Sequence, residues 1–104
     1  MNTINFIQMN LHKPLTVEKL ADRAFKNKDY FSRQFFNHVG QRPLHYIHQK
    51  RIERAQYLII TTNKTLQDIS TSTGFSNVAH FSKIFKKIVG TPPGKYKNNI
   101  IQTS

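Results

Sequence analysis

Asp29, Ser32 and Arg33 lie three and four residues apart, a spacing that puts side chains on one side of a helix. An arginine fork can bond guanine O6 and N7 together, a carboxylate can accept from cytosine N4, and a hydroxyl adapts to either. Val78, Ala79, His80 and Lys83 occupy the matching stretch of a second helical segment. Small apolar Val78 and Ala79 suit thymine methyls, while His80 and Lys83 can reach base edges or backbone. This second set is poorer in donors. The first is therefore expected to carry more of the direct readout and the second more of the positioning. Lys28, Lys50, Lys86 and Lys87 are candidates for phosphate, together with the helix N-termini at Thr16, Asn27, Thr65 and Asn77, where backbone amides point outward.

Each of these residues also has a plainer reading. Asp29 favours a helix N-terminus electrostatically. Arg33 can clamp a phosphate as well as a base, with the base contact expected to come first. A lone lysine is often only solvated surface. Other chemistries find little support. The absence of Cys excludes disulfides and Cys-ligated zinc and is compatible with a reducing compartment. His45 and His48 lie three apart on a helical turn, but two imidazoles without a third ligand nearby make a poor metal site. The five acids are scattered, offering no paired carboxylates and no Ser/His/Asp arrangement. No catalytic residue, metal or cofactor is expected.

The charge balance points the same way as the two faces. Sixteen Lys and Arg against five acids give a net charge of +11 and a pI near 10.3, which attracts nucleic acid or an anionic surface. No apolar run approaches the ~20 residues of a membrane span, and Met1-Asn2-Thr3 begins no signal peptide.

The two faces belong to one pattern written twice. Phe31-Ser32-Arg33-Gln34-Phe35 returns as Phe81-Ser82-Lys83-Ile84-Phe85, Val39-Gly40 as Val89-Gly90, Pro43 as Pro93 and Tyr46 as Tyr96. Such a repeat is one supersecondary unit used twice. A unit of about fifty residues is marginal alone, so some element must be shared between the copies.

Periodicity predicts the elements. Ile4, Ile7 and Leu11 mark a short helix over 3–11, stopped before Pro14. Thr16 caps a helix through Ala24 that buries Val17, Leu20, Ala21 and Ala24. After the turn Phe25-Lys26-Asn27, a helix to about His38 buries Phe31 and Phe35, with Asp29, Ser32, Arg33 and Phe36 on its far side. Phe36 is expected to pack against a neighbouring helix; the alternative is apolar contact with a sugar or a thymine methyl. Gly40 ends this helix in the left-handed region. Pro43 opens the longest helix, to about Ile60, with Leu44, Ile47, Ala55 and Leu58 inward. Thr65-Leu66-Gln67-Asp68 reads as a capping box before inward Leu66 and Ile69. Gly74 turns the chain, Ser76 or Asn77 caps a helix to about Ile88, and Gly90 ends it. Pro93 opens a last short turn through Tyr96. No strand signal occurs, so the expected fold class is all-α: two helix-turn-helix subdomains, 1–43 and 62–104, joined by a central helix over 44–61.

Leu20-Ala21, Asn27 through Phe35, and Gly40-Gln41-Arg42-Pro43 closely resemble the first motif of the AraC/XylS family of bacterial transcription regulators. Arg51 and Ala55 resemble the R-x-x-x-A stretch of that family's central helix. Ile69, Gly74-Phe75-Ser76, Phe81 through Lys87, Gly90-Thr91-Pro92-Pro93 and Tyr96 resemble its second motif. Two positions depart from the pattern. Phe25 stands where Gly or Asn is common, a place where an aromatic with positive φ would be strained, and Phe36 stands where Lys is usual.

The resemblance implies sequence-specific binding of double-stranded DNA, with RNA polymerase as a second partner and a cytoplasmic, nucleoid-associated location. It also implies an effector-sensing or dimerisation domain outside this chain. A central helix of about seventeen residues spans roughly 25 Å at ~1.5 Å per residue. With the motif bodies added, the recognition helices are expected near one DNA turn apart, about 34 Å, entering successive major grooves of an asymmetric site. A basic RNA-binding or adaptor module without groove readout is the competing reading; RNA readers usually present stacking aromatics, whereas most Phe here fall on core stripes. A membrane-surface helix would need an exposed apolar face that the sequence does not offer.

Overall fold

The computed structural model describes residues 2–103, with seven helices and no strand among them. They run α1 (Thr3–Met9), α2 (Val17–Arg23), α3 (Lys28–Val39), α4 (Pro43–Thr61), α5 (Leu66–Ser72), α6 (Val78–Val89) and α7 (Pro93–Thr103). Among the described residues no helix is long and apolar enough to cross a membrane. The chain forms two compact units, Met1–Lys50 and Arg51–Ser104, divided inside α4. That helix gives Tyr46 and Ile47 to the core of the first unit and Ile52, Ala55 and Ile59 to the core of the second. It is the shared element that two marginal half-domains require.

The first core gathers Ile7, Leu11, Leu20, Ala21, Phe31 and Phe35 around the start of α4. Phe35 meets Tyr46 edge to face with centroids 5.6 Å apart. The second core repeats this arrangement with Ile69, Phe75, Phe81 and Phe85, the last meeting Tyr96 at 5.4 Å. Both tyrosines lie close to the core and satisfy their hydroxyls at its edge, accepting from Gln8 at 3.3 Å and Gln56 at 3.2 Å. The R-x-x-x-A stretch is structural. Ala55 is fully buried, and Arg51 is buried with its guanidinium 5.8 Å from the Phe75 ring; desolvation holds its pKa below the ordinary arginine value.

Capping sets the helix boundaries. Thr16, Asn27, Thr65 and Asn77 each accept, through a side-chain oxygen, the amide three residues on, at 2.7–3.1 Å. Gly40 and Gly90 close α3 and α6 at φ 83° and 93°. Four expectations are corrected. The first helix stops at Met9, with Asn10 as C-cap. The last element is not a turn ending at Tyr96 but a helix to Thr103, since nothing after Gly94 breaks it. Leu44 is 48% exposed, because Tyr46 and Ile47 take the core positions of α4. Phe36 is 51% exposed: one position round the helix from buried Phe35, it falls off the core stripe.

The turn between α2 and α3 carries real strain. Phe25 has φ 57° and is 96% exposed. Its amide donates to the Asp22 carbonyl at 3.0 Å and that of Lys26 to Ala21 at 2.9 Å, the paired bonds of a Schellman ending. In the second unit the same bonds run from Gly74 to Thr71 and from Phe75 to Ser70, and the left-handed residue is glycine at φ 96°. Phe25→Gly removes a left-handed penalty of about 1–2 kcal/mol, partly offset by glycine's freedom in the unfolded chain. A net gain of about 0.5–1 kcal/mol is expected, read as a Tm several degrees higher. A fall in Tm would mean that the exposed ring makes a stabilising contact.

Candidate nucleic-acid interface

Each unit presents one longer helix whose inner stripe is fixed by two phenylalanines four residues apart, so its opposite side must face out. On α3 the buried pair is Phe31 and Phe35, and Lys28, Asp29 and Arg33 are exposed with Ser32 half-buried. On α6 the pair is Phe81 and Phe85, both fully buried, leaving Ala79, His80 and Lys83 exposed and Val78 half-buried. The residues expected to read bases thus stand on the outward sides of the second helix of each pair, preceded by a short capped helix and a tight turn. This is helix-turn-helix geometry.

The two faces differ in chemistry and in how firmly they are held. Arg33 has no ion-pair partner among the described residues and stands one turn after Asp29. Lys28 approaches Glu18 of α2 at 3.9 Å, with both side chains well exposed, so solvent screens the pair and leaves Lys28 available. His80 is partly committed, its ring meeting Phe75 edge-on at 5.6 Å. Lys86 and Lys87 are exposed in the last turn of α6, where cations also suit the helix dipole. Lys50 stands elsewhere, on α4, half-buried with its ammonium 5.6 Å from the Tyr46 ring.

The N-cap residues offer more than their oxygens. Thr16, Asn27, Thr65 and Asn77 use an acceptor for capping and are all exposed. The threonine hydroxyl proton and the asparagine amide protons remain, and donors are what a phosphate needs.

A groove in the first unit was not anticipated. It holds about 500 Å³ between α2, α3 and the start of α4, and it brings Lys28, Ser32 and Arg33 together with Phe36, Arg42 and Leu44. The repeat carries the signal that could have found it. Phe36 corresponds to Lys86 and Leu44 to Gly94, so the first unit is apolar where the second is cationic or bare. Tyr30 was also passed over. It is 41% exposed, Gln34 donates to its hydroxyl at 2.9 Å, and the Lys26 ammonium lies 4.7 Å from its ring.

Comparison with known proteins agrees with this geometry. The helix-turn-helix domain family matches residues 20–99. YobQ of Bacillus subtilis, named as an uncharacterized HTH-type transcriptional regulator, is 34% identical over 98 residues, covering 94% of this chain and 41% of that protein. A Streptomyces lividans protein named as an AraC-like transcription regulator is 37% identical over 84 residues, covering 81% and 28%. The chain thus spans less than half the length of these curated relatives. Among solved structures, the DNA-binding domain of the global transcriptional factor AdpA, in complex with a target DNA, superposes with a TM-score of 0.89 at 26% identity. That match covers 93% of this chain and 87% of the other. The C-terminal domain of the response regulator yesN from Fusobacterium nucleatum gives a TM-score of 0.89 at 28% identity, covering 91% and 93%. The chain belongs to the AraC-type helix-turn-helix family of transcription regulators.

Proposed function

We propose that α3 and α6 enter successive major grooves of one DNA duplex and read different bases there. Arg33 takes a guanine edge bidentately, with Asp29 and Ser32 beside it. Val78 and Ala79 meet thymine methyls, while His80 and Lys83 reach base edges or backbone. Lys28, Lys50, Lys86 and Lys87, with the donors at Thr16, Asn27, Thr65 and Asn77, hold phosphates and fix the register. The observation that carries this reading is the pairing of two outward helix faces of unlike chemistry on a chain of net charge +11. The site is therefore asymmetric within a single protomer. In a longer regulator this domain would act with an effector-sensing or dimerisation domain and with RNA polymerase, on the nucleoid in the cytoplasm. No catalytic step is assigned to it.

Arg33→Ala is expected to cost about 1–3 kcal/mol on the preferred site and to relax the choice of base at one position. Lys86→Ala is expected to weaken binding to all duplexes alike and to lower the salt slope by about one. Titrations of specific and random duplexes at several salt concentrations separate the two effects. Equal loss on both duplexes for Arg33→Ala would make Arg33 a phosphate clamp and leave the first half-site to Asp29, Ser32 or DNA shape.

A further inference from the structure

We infer that the groove of the first unit binds an acidic amphipathic helix from a protein partner, in competition with duplex DNA. The argument begins with the internal repeat. Position for position, α6 offers Lys86 and the first turn of α7 offers Gly94, which suits a wall facing phosphates. The first unit has Phe36, 51% exposed, and Leu44, 48% exposed, at those positions. A surface built only to hold a phosphodiester backbone has no use for two half-exposed apolar side chains.

The shape fits a helix face. Val17, Phe36, Pro43 and Leu44 supply apolar lining to a cleft of about 500 Å³ contributed by three elements of one unit. Helix-in-groove recognition places side chains at i, i+3, i+4 and i+7 into such a cleft.

The charge specifies the partner. Arg33 and Arg42 border the apolar lining with no ion-pair partner among the described residues, and Lys28 adds a third cation whose contact with Glu18 is long and exposed. No acid lines the groove. An occupant with Leu or Phe on one face and Asp or Glu beside it satisfies both features; a basic or purely apolar helix satisfies at most one. Ser32 and Arg33 line the groove and also belong to the proposed base-reading face, so peptide and duplex exclude each other. The competition and the contrast with Lys86 and Gly94 rest on the DNA-binding reading; the groove's apolar lining and its cations do not.

The test uses a labelled helical peptide with Leu and Phe at i, i+3, i+4 and i+7 and Glu at the flanking positions, and a scramble of equal charge. Both are titrated against the chain and against its Phe36→Lys/Leu44→Ser variant. Both side chains are half-exposed, so the variant is expected to fold, which circular dichroism checks. The spaced peptide is expected to bind about tenfold tighter than the scramble, and the variant to lose that difference. Unlabelled duplex is expected to displace the peptide. Equal binding of the two peptides would overturn the inference, because attraction to any polyanion would then explain it. Unchanged peptide binding by the variant would overturn it by moving the site elsewhere. A folded variant that loses duplex binding, with no peptide bound by the parent chain, would make the groove a sugar or thymine contact. If the spaced peptide binds and no duplex does, the groove assignment stands and the DNA-binding reading fails.

Discussion

Phe85→Ala is expected to lower the stability of the domain by about 3–5 kcal/mol. Phe85 is fully buried, and its ring lies 5.7 Å from Phe81 and 5.4 Å from Tyr96. Truncation therefore removes the transfer energy of the ring, leaves a cavity between helices, and strips both neighbours of an aromatic contact. A domain of this size has a total stability of about 5–15 kcal/mol, so one substitution uses up a large part of it. Phe35→Ala, at 6% exposure and 5.6 Å from Tyr46, is expected to do the same in the first unit. Urea unfolding followed by circular dichroism gives both values. A loss below about 1 kcal/mol with duplex binding abolished would place Phe85 at the interface and not in the core.

The core was legible in the sequence because helical periodicity leaves little choice. Phe31 with Phe35 and Phe81 with Phe85 recur at a spacing that only a helix puts on one side, and all four are buried. Caps were legible for a similar local reason: Thr16, Asn27 and Thr65 stand just before helical periodicity begins and cap as expected, and of Ser76 and Asn77 it is Asn77 that caps. What failed was set by neighbours more distant in the chain. Leu44 fits the helical stripe of α4, yet Tyr46 and Ile47 reach the core and Leu44 borders a groove. Phe36 was expected on the outward side of α3 but covered by a neighbouring helix; instead it stays half-exposed in the groove it shares with Val17, Pro43 and Leu44. The groove depends on three elements meeting, which periodicity along one helix does not encode. Phe25 is a different case. Its left-handed conformation was foreseeable from the turn, where the repeat uses Gly74, and the strain is tolerable because the Schellman bonds hold the backbone there.

The outward faces of α3 and α6 were legible as faces, since whatever is not on the phenylalanine stripe must point away from it. Their assignments to bases or phosphates rest on side-chain chemistry. Asp29, Ser32 and Arg33 have both donors and acceptors, whereas Val78, Ala79, His80 and Lys83 are dominated by small apolar groups and single donors. That inequality makes the account testable in a single experiment.

Selection of bound sequences from a pool of random duplexes is expected to recover one asymmetric site with two unlike half-sites, centred about 10 base pairs apart. One half should require a guanine, whose identity becomes free when the selection is repeated with Arg33→Ala. The other should be weaker in information and rich in A·T pairs, as contacts to thymine methyls imply. At physiological salt the selected site should bind about 10³–10⁷-fold tighter than random duplex. Recovery of a single half-site, of two identical halves, or of no enriched sequence would contradict the claim that two unlike helices of one protomer read one duplex.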